Sequence, residues 1–70
     1  MPHITLELTQ NIADHWNPSG FLNIAHDKMV NIIETKLYNC KSRVICHENF
    51  YIGNGDIHNA FIFLRVENIV

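Results

Sequence analysis

A proline stands second in the chain, directly after the initiator methionine and at the mouth of an alternating segment, Met1-Pro2-His3-Ile4-Thr5-Leu6-Glu7-Leu8. If Met1 is removed, the chain starts with a secondary amine. No internal residue supplies that group, because an internal proline nitrogen is an amide with no basicity near neutral pH. An α-amino group titrates at roughly 7.7 to 8.0, and burial or a nearby cation lowers the value, so a terminal proline can act as a general base at cellular pH. Proline also favours the first position of a strand for purely structural reasons. Its chemistry therefore depends on what gathers around it, and Lys41, Arg43 and Arg65 are the candidate cations. Such cations would depress the amine, hold an anionic substrate and stabilise the negative oxygen of a developing enolate. Otherwise they are solvated charges on a sheet edge.

Other reactive residues carry weaker patterns. The five histidines, His3, His15, His26, His47 and His58, include no pair at the spacing of a zinc site, and Cys40 and Cys46 form no short metal-binding pair, so neither a metal nor another cofactor is expected. Cys46 and His47 are neighbours on an expected strand and point to opposite faces, which places them badly to share a proton. Glu7 is expected to solvate an exposed sheet face, and Met29 to lie in the core. Trp16, Phe50 and Tyr51 either wall an apolar pocket or pack against loops and subunits.

The elements that must position these groups follow from hydrophobic period. Ile4, Leu6 and Leu8 alternate with Thr5, Glu7 and Thr9, which predicts a strand with one apolar face. Asn17-Pro18 predicts a helix start, with Asn17 as cap and Pro18 at the first helical position. From there Leu22, Ala25, Met29, Ile32, Ile33 and Leu37 recur at helical steps, giving an amphipathic helix of about five turns with Asn39 as a left-handed stop. Residues 42–52 predict a second strand, Gly53-Asn54-Gly55-Asp56 a turn, and residues 60–66 a third strand that is apolar on both faces until Arg65, as expected of burial on both sides or a subunit contact. Strand, helix, strand implies a right-handed crossover with parallel strands. The fold class expected is α/β, a parallel β-α-β unit with an additional antiparallel hairpin strand. Pro2 and Lys41 then share one sheet edge, and the hairpin returns Arg65 to it.

Composition narrows the partners. Seventy residues, 47% of them hydrophobic, suit one small domain that leaves much apolar surface poorly covered. Two cysteines are too few to staple it, so oligomerisation is the remaining remedy. The formal net charge of -2 offers no basic face for a phosphate backbone, which argues against nucleic acid. The segment after Met1 contains Glu7 and no long apolar run, so neither a signal peptide nor a membrane span is expected, and the expected location is cytoplasmic.

Met-Pro-His at positions 1–3, Glu7, Asn11-Ile12, Ser42-Arg43-Val44, Gly55 and Ala60-Phe61 together resemble the N-terminal half of the 5-carboxymethyl-2-hydroxymuconate delta-isomerase family, within the tautomerase superfamily. The resemblance implies cleavage of Met1, an isomerase in which Pro2 moves a proton between two carbons of a small unsaturated keto or enol carboxylic acid, and a homotrimer or homohexamer. It implies that Lys41 stands where the family has a substrate-binding arginine, keeping the charge but losing the planar fork that grips a carboxylate twice. It also implies that residues 1–70 are one tautomerase-like domain stopping before the second β-α-β unit, so that a second arginine falls beyond Val70 and Arg65 or a neighbouring subunit's cation takes its place. Phe61, Ile62, Phe63 and Leu64 would then lack the cover of that unit's helix. A non-catalytic relative, serving as an oligomeric binding or structural module, is the alternative reading.

Overall fold

The computed structural model describes residues 1–69. Strand β1 (Pro2–Thr9) runs directly into a single helical turn, α1 (Gln10–Ala13), followed by α2 (Ser19–Ile33), a 3-10 turn at Leu37–Asn39, and strands β2 (Lys41–His47) and β3 (Ile62–Asn68). One mixed sheet results, in the order β2-β1-β3, with β1 parallel to β2 and antiparallel to β3. This is the α/β arrangement expected, with the parallel pair joined through the helices.

The third strand departs from the expected hairpin. β3 does not pair with β2; it lies on the other side of β1, in the register Ile4 with Val66, Leu6 with Leu64 and Leu8 with Ile62. The Gly-Asn-Gly-Asp turn exists, with Gly53 and Gly55 at positive φ and the Gly55 N–H donating to Ile52 O at 2.9 Å, but it sits inside a longer connection. Side chains at the end of β1 hold that connection. Asn11 Nδ2 donates to Asn59 O at 2.9 Å, Phe61 N donates to Thr9 Oγ1 at 3.3 Å, and Thr9 N donates to Phe61 O at 3.2 Å. The physical gain is that both edges of β1 become bonded, where a hairpin on β2 would leave one row of its backbone groups without a strand partner.

Alternation along β1 then does what its sequence suggests. Ile4, Leu6 and Leu8 are buried on the face toward α2 and form most of the core, each contributing about 1.5–3 kcal/mol. Thr5 and Thr9 are buried on the other face. β2 and β3 are largely exposed. Phe61, Ile62, Phe63 and Leu64 are all exposed, so the doubly apolar third strand is an open edge, not an internal one.

The long helix is shorter than its apolar period suggests. Pro18, not Asn17, is the N-cap, its carbonyl accepting from Leu22 N at 2.9 Å, while Asn17 Oδ1 one residue earlier accepts from Ser19 N at 2.9 Å. The helix stops at Ile33 because Glu34 adopts the left-handed conformation (φ 56, ψ 47), not Asn39. Leu37 thus belongs to the 3-10 turn, and Ile32, 74% exposed, falls off the partly covered stripe of Leu22, Ala25, Met29 and Ile33. Phe21, Ile24, Met29 and Ile32 line an apolar cleft of about 280 Å³ against Ile4, Leu64 and Val66. The radius of gyration, 14.2 Å, exceeds the roughly 11 Å of a compact chain of this length, in keeping with a sheet covered on one face only.

Two substitutions test these constraints. Glu34→Gly removes a left-handed non-glycine residue at an exposed stop and should stabilise the chain by about 0.5–1 kcal/mol, read as a raised urea midpoint at unchanged slope. Thr9→Val deletes the buried hydroxyl that serves Phe61 N, and should cost about 1–3 kcal/mol in the same titration.

Candidate functional site

Pro2 heads the central strand, paired with Asn68, and its ring is fully buried. Met1 extends the same pairing: its ammonium donates to Ile69 O at 2.6 Å and its carbonyl accepts from Ile69 N at 2.9 Å. With Met1 in place the Pro2 nitrogen is an amide. Removal of Met1 would delete these two bonds and leave a secondary amine at the end of β1, beside the last residues of β3.

The parallel register sets His3 against Lys41 and Thr5 against Arg43, while the antiparallel register sets Thr5 against Arg65 and His3 against Glu67. Two rows therefore cross the sheet, Lys41–His3–Glu67 and Arg43–Thr5–Arg65. Because paired residues share a face, Arg43 and Arg65 lie on the face away from α2, opposite to the Pro2 ring, which shares parity with Ile4. Arg43 is held there by Thr5 Oγ1 at 3.2 Å and by His3 Nδ1 at 2.8 Å. A guanidinium can only donate, so Nδ1 of His3 is the acceptor and His3 carries its ring hydrogen on Nε2. Arg65 lies 4.0 Å from Glu67 Oε1, with its guanidinium carbon 5.8 Å from the centre of the Phe63 ring.

Lys41 behaves differently from the arginines. It begins β2, its Nζ donates to Tyr38 O at 2.9 Å, and it lines a cavity of about 580 Å³ on the helix side together with Ser19, Leu22, Asn23, His26, Leu37, Cys40 and Ser42. Of the candidate cations, then, Lys41 is the one nearest to Pro2 in register, and it lines a cavity. Arg43 and Arg65 are brought to each other across Thr5, and not to the Pro2 ring.

Two groupings escaped the sequence reading. His26 Nε2 and Ser42 Oγ are hydrogen-bonded between α2 and β2 inside the cavity that holds Lys41. Strand alternation places Ser42 on the helix face, but nothing in the sequence fixes which helical residue meets it. His47 Nε2 donates to Glu7 Oε1 at 2.8 Å on the opposite face, with the His47 ring 5.8 Å from Phe61. Glu7 is thus paired and partly buried, not merely solvating the sheet. Cys46 and His47 do point apart: Cys46 lines a cavity with Leu8, Trp16 and Val44, while His47 faces the other way. Trp16 is a pocket wall and Tyr51 packs against Gly55 in the loop.

Cys40 and Cys46 are both free. Among the described residues no three His, Cys, Asp or Glu side chains converge as metal ligands, and no helix is long and apolar enough to cross a membrane. No family model matches the chain, and no curated protein or solved structure shows detectable similarity to it.

Proposed function

We propose that the chain is a tautomerase-type isomerase, in which Pro2, freed by removal of Met1, shuttles a proton between carbons of a small unsaturated keto or enol acid. One observation carries the reading. Pro2 heads the central strand while Lys41 heads its parallel neighbour one register step away, at the rim of a cavity. A base and a cation are thereby set at the same end of two parallel strands. The Pro2 amine would take a proton from the carbon acid and return it further along the conjugated system, while Lys41 holds the carboxylate and offsets charge on the enolate oxygen. The sequence resemblance to the 5-carboxymethyl-2-hydroxymuconate delta-isomerase family supports the same chemistry and, with it, a role in catabolism of aromatic compounds.

Arg43 and Arg65 enter this proposal through a second copy of the chain. They lie on the face away from the Pro2 ring, so they would serve substrate only at a site shared between subunits. The exposed Ile62, Phe63, Leu64 and Val66 of β3 are the surface such a homotrimer or homohexamer would cover.

A non-catalytic module of the same fold is the alternative: while Met1 is attached the Pro2 nitrogen is a peptide amide, and the Met1 main chain extends the pairing with Ile69. Intact mass and turnover on an enol acid, measured on one purified sample, separate the two. The isomerase reading expects a mass lacking methionine and enol-keto interconversion that falls at least about 100-fold in Pro2→Ala, with the assembly unchanged by sedimentation. Retained Met1, or normal turnover in the variant, would sink it. Lys41→Met should raise KM about tenfold with a smaller effect on kcat, since it removes a charge-assisted contact to the carboxylate.

A further inference from the structure

A cavity of about 470 Å³ opens at the opposite end of the parallel pair from Pro2. Leu8, Val44 and Cys46 form its floor on the helix side of β1 and β2, and the segment between α1 and α2 forms its wall with Asp14, His15 and Trp16. Pro2 and Leu8 stand roughly 20 Å apart along the strand, so the cavity shares no residue with the proposed proton transfer. Hydrogen bonds and an aromatic contact fix the wall: His15 N donates to Ile12 O at 3.0 Å, Asn17 Oδ1 accepts from Ser19 N at 2.9 Å, and the Phe21 ring lies 6.3 Å from that of Trp16. With histidine neutral, Asp14 is the one charged side chain lining the cavity among the described residues. We infer that this cavity binds a small quaternary ammonium compound, its cationic head set between the Asp14 carboxylate and the Trp16 indole and its methyl groups on the apolar floor.

The lining selects for such a cation by what it offers and what it lacks. An indole is the aromatic face that attracts a cation most strongly, and Trp16, 38% exposed, is open to a ligand. Asp14 Oδ1 accepts from Gln10 Nε2 at 3.0 Å, which holds the carboxylate in place and leaves it further lone pairs. A primary ammonium needs three acceptors and a divalent metal several oxygen ligands, whereas the cavity combines one carboxylate with an apolar floor. A quaternary ammonium has no N–H to satisfy and presents methyl groups, so it gains from the carboxylate, the indole and the floor together. The volume falls in the range of small-molecule sites. The cavity also lies at the carboxyl ends of the parallel strands, the end at which open α/β sheets ordinarily take their ligands.

The test is titration of the full chain at neutral pH and fixed ionic strength with choline chloride and, separately, with its neutral isostere 3,3-dimethylbutan-1-ol. Trp16 is the single tryptophan of the chain, so its fluorescence reads the site directly. Choline should produce a saturable change, and the alcohol should bind at least about tenfold more weakly. Asp14→Asn keeps the shape and an acceptor for Gln10 but removes the charge, and should weaken choline about three- to fivefold. Trp16→Phe and Trp16→Leu, followed by nuclear magnetic resonance at Val44 and Cys46, should weaken it progressively, because phenylalanine keeps a poorer π-face and leucine keeps bulk alone. Asp14→Asn at the exposed wall carries the test if the Trp16 variants fail to fold. Absence of saturable choline binding, equal affinity for the two probes, shifts centred away from Val44 and Cys46, or undiminished binding in folded Asp14→Asn would overturn the inference.

Discussion

Pairing of β1 on both sides is the constraint from which the other features of this molecule follow. A chain of this size can complete the backbone bonding of very few strands, and it completes that of the one whose apolar residues are most regularly spaced. Ile4, Leu6 and Leu8 are buried because β2 and β3 flank them and α2 covers them. Thr5 and Thr9 are buried on the far face, where Arg43 Nη1 reaches the Thr5 hydroxyl and Phe61 N that of Thr9. Placing β3 against β1 turns the glycine-rich segment into part of a long connection, and the Thr9, Asn11 and Asn59 contacts are the means by which that connection is tied down.

The same pairing gathers the charged residues of the sheet in register on one face, that of His3, Thr5 and Glu7. A register of Lys41 with His3 and Arg43 with Thr5 sets both on the side of His3 and Thr5, while Ser42 and Val44 between and beyond them fall on the helix side. Arg43 and Arg65, far apart in sequence, become row partners through Thr5. Lys41 is the first residue of its strand, and its Nζ donates to Tyr38 O in the preceding turn. The chemistry proposed for Pro2 depends on Lys41 standing at this end of β2, one register step from Pro2.

The cost of finishing a single strand is borne at the edges. β3 has an exposed apolar surface, Ile32 and Ile24 stand out from α2, and the molecule extends 43 Å along its longest axis. These surfaces are the ones the proposed assembly would cover. They also show how much of the apolar content of the sequence remains uncommitted within one chain.

Local signals were legible wherever physics acts over a few residues. The alternation of Ile4, Leu6 and Leu8, a helix start at Asn17-Pro18, the positive-φ glycines and the divergence of Cys46 from His47 all follow from neighbours in the sequence, as did the parallel pair joined by helices. Where the helix ends was not, because Leu37 continues the apolar period while Glu34 breaks the backbone, and a left-handed glutamate leaves no mark in a hydrophobic pattern. Sequence by itself determined which residues can form a strand, a helix or a turn, and that Pro2 is a potential amine beside potential cations. Only the tertiary structure decided that β3 pairs with β1, that both arginines face away from the Pro2 ring, and that His26 meets Ser42, because strand order and register are set by long-range backbone pairing whose alternatives are equally compatible with the local pattern.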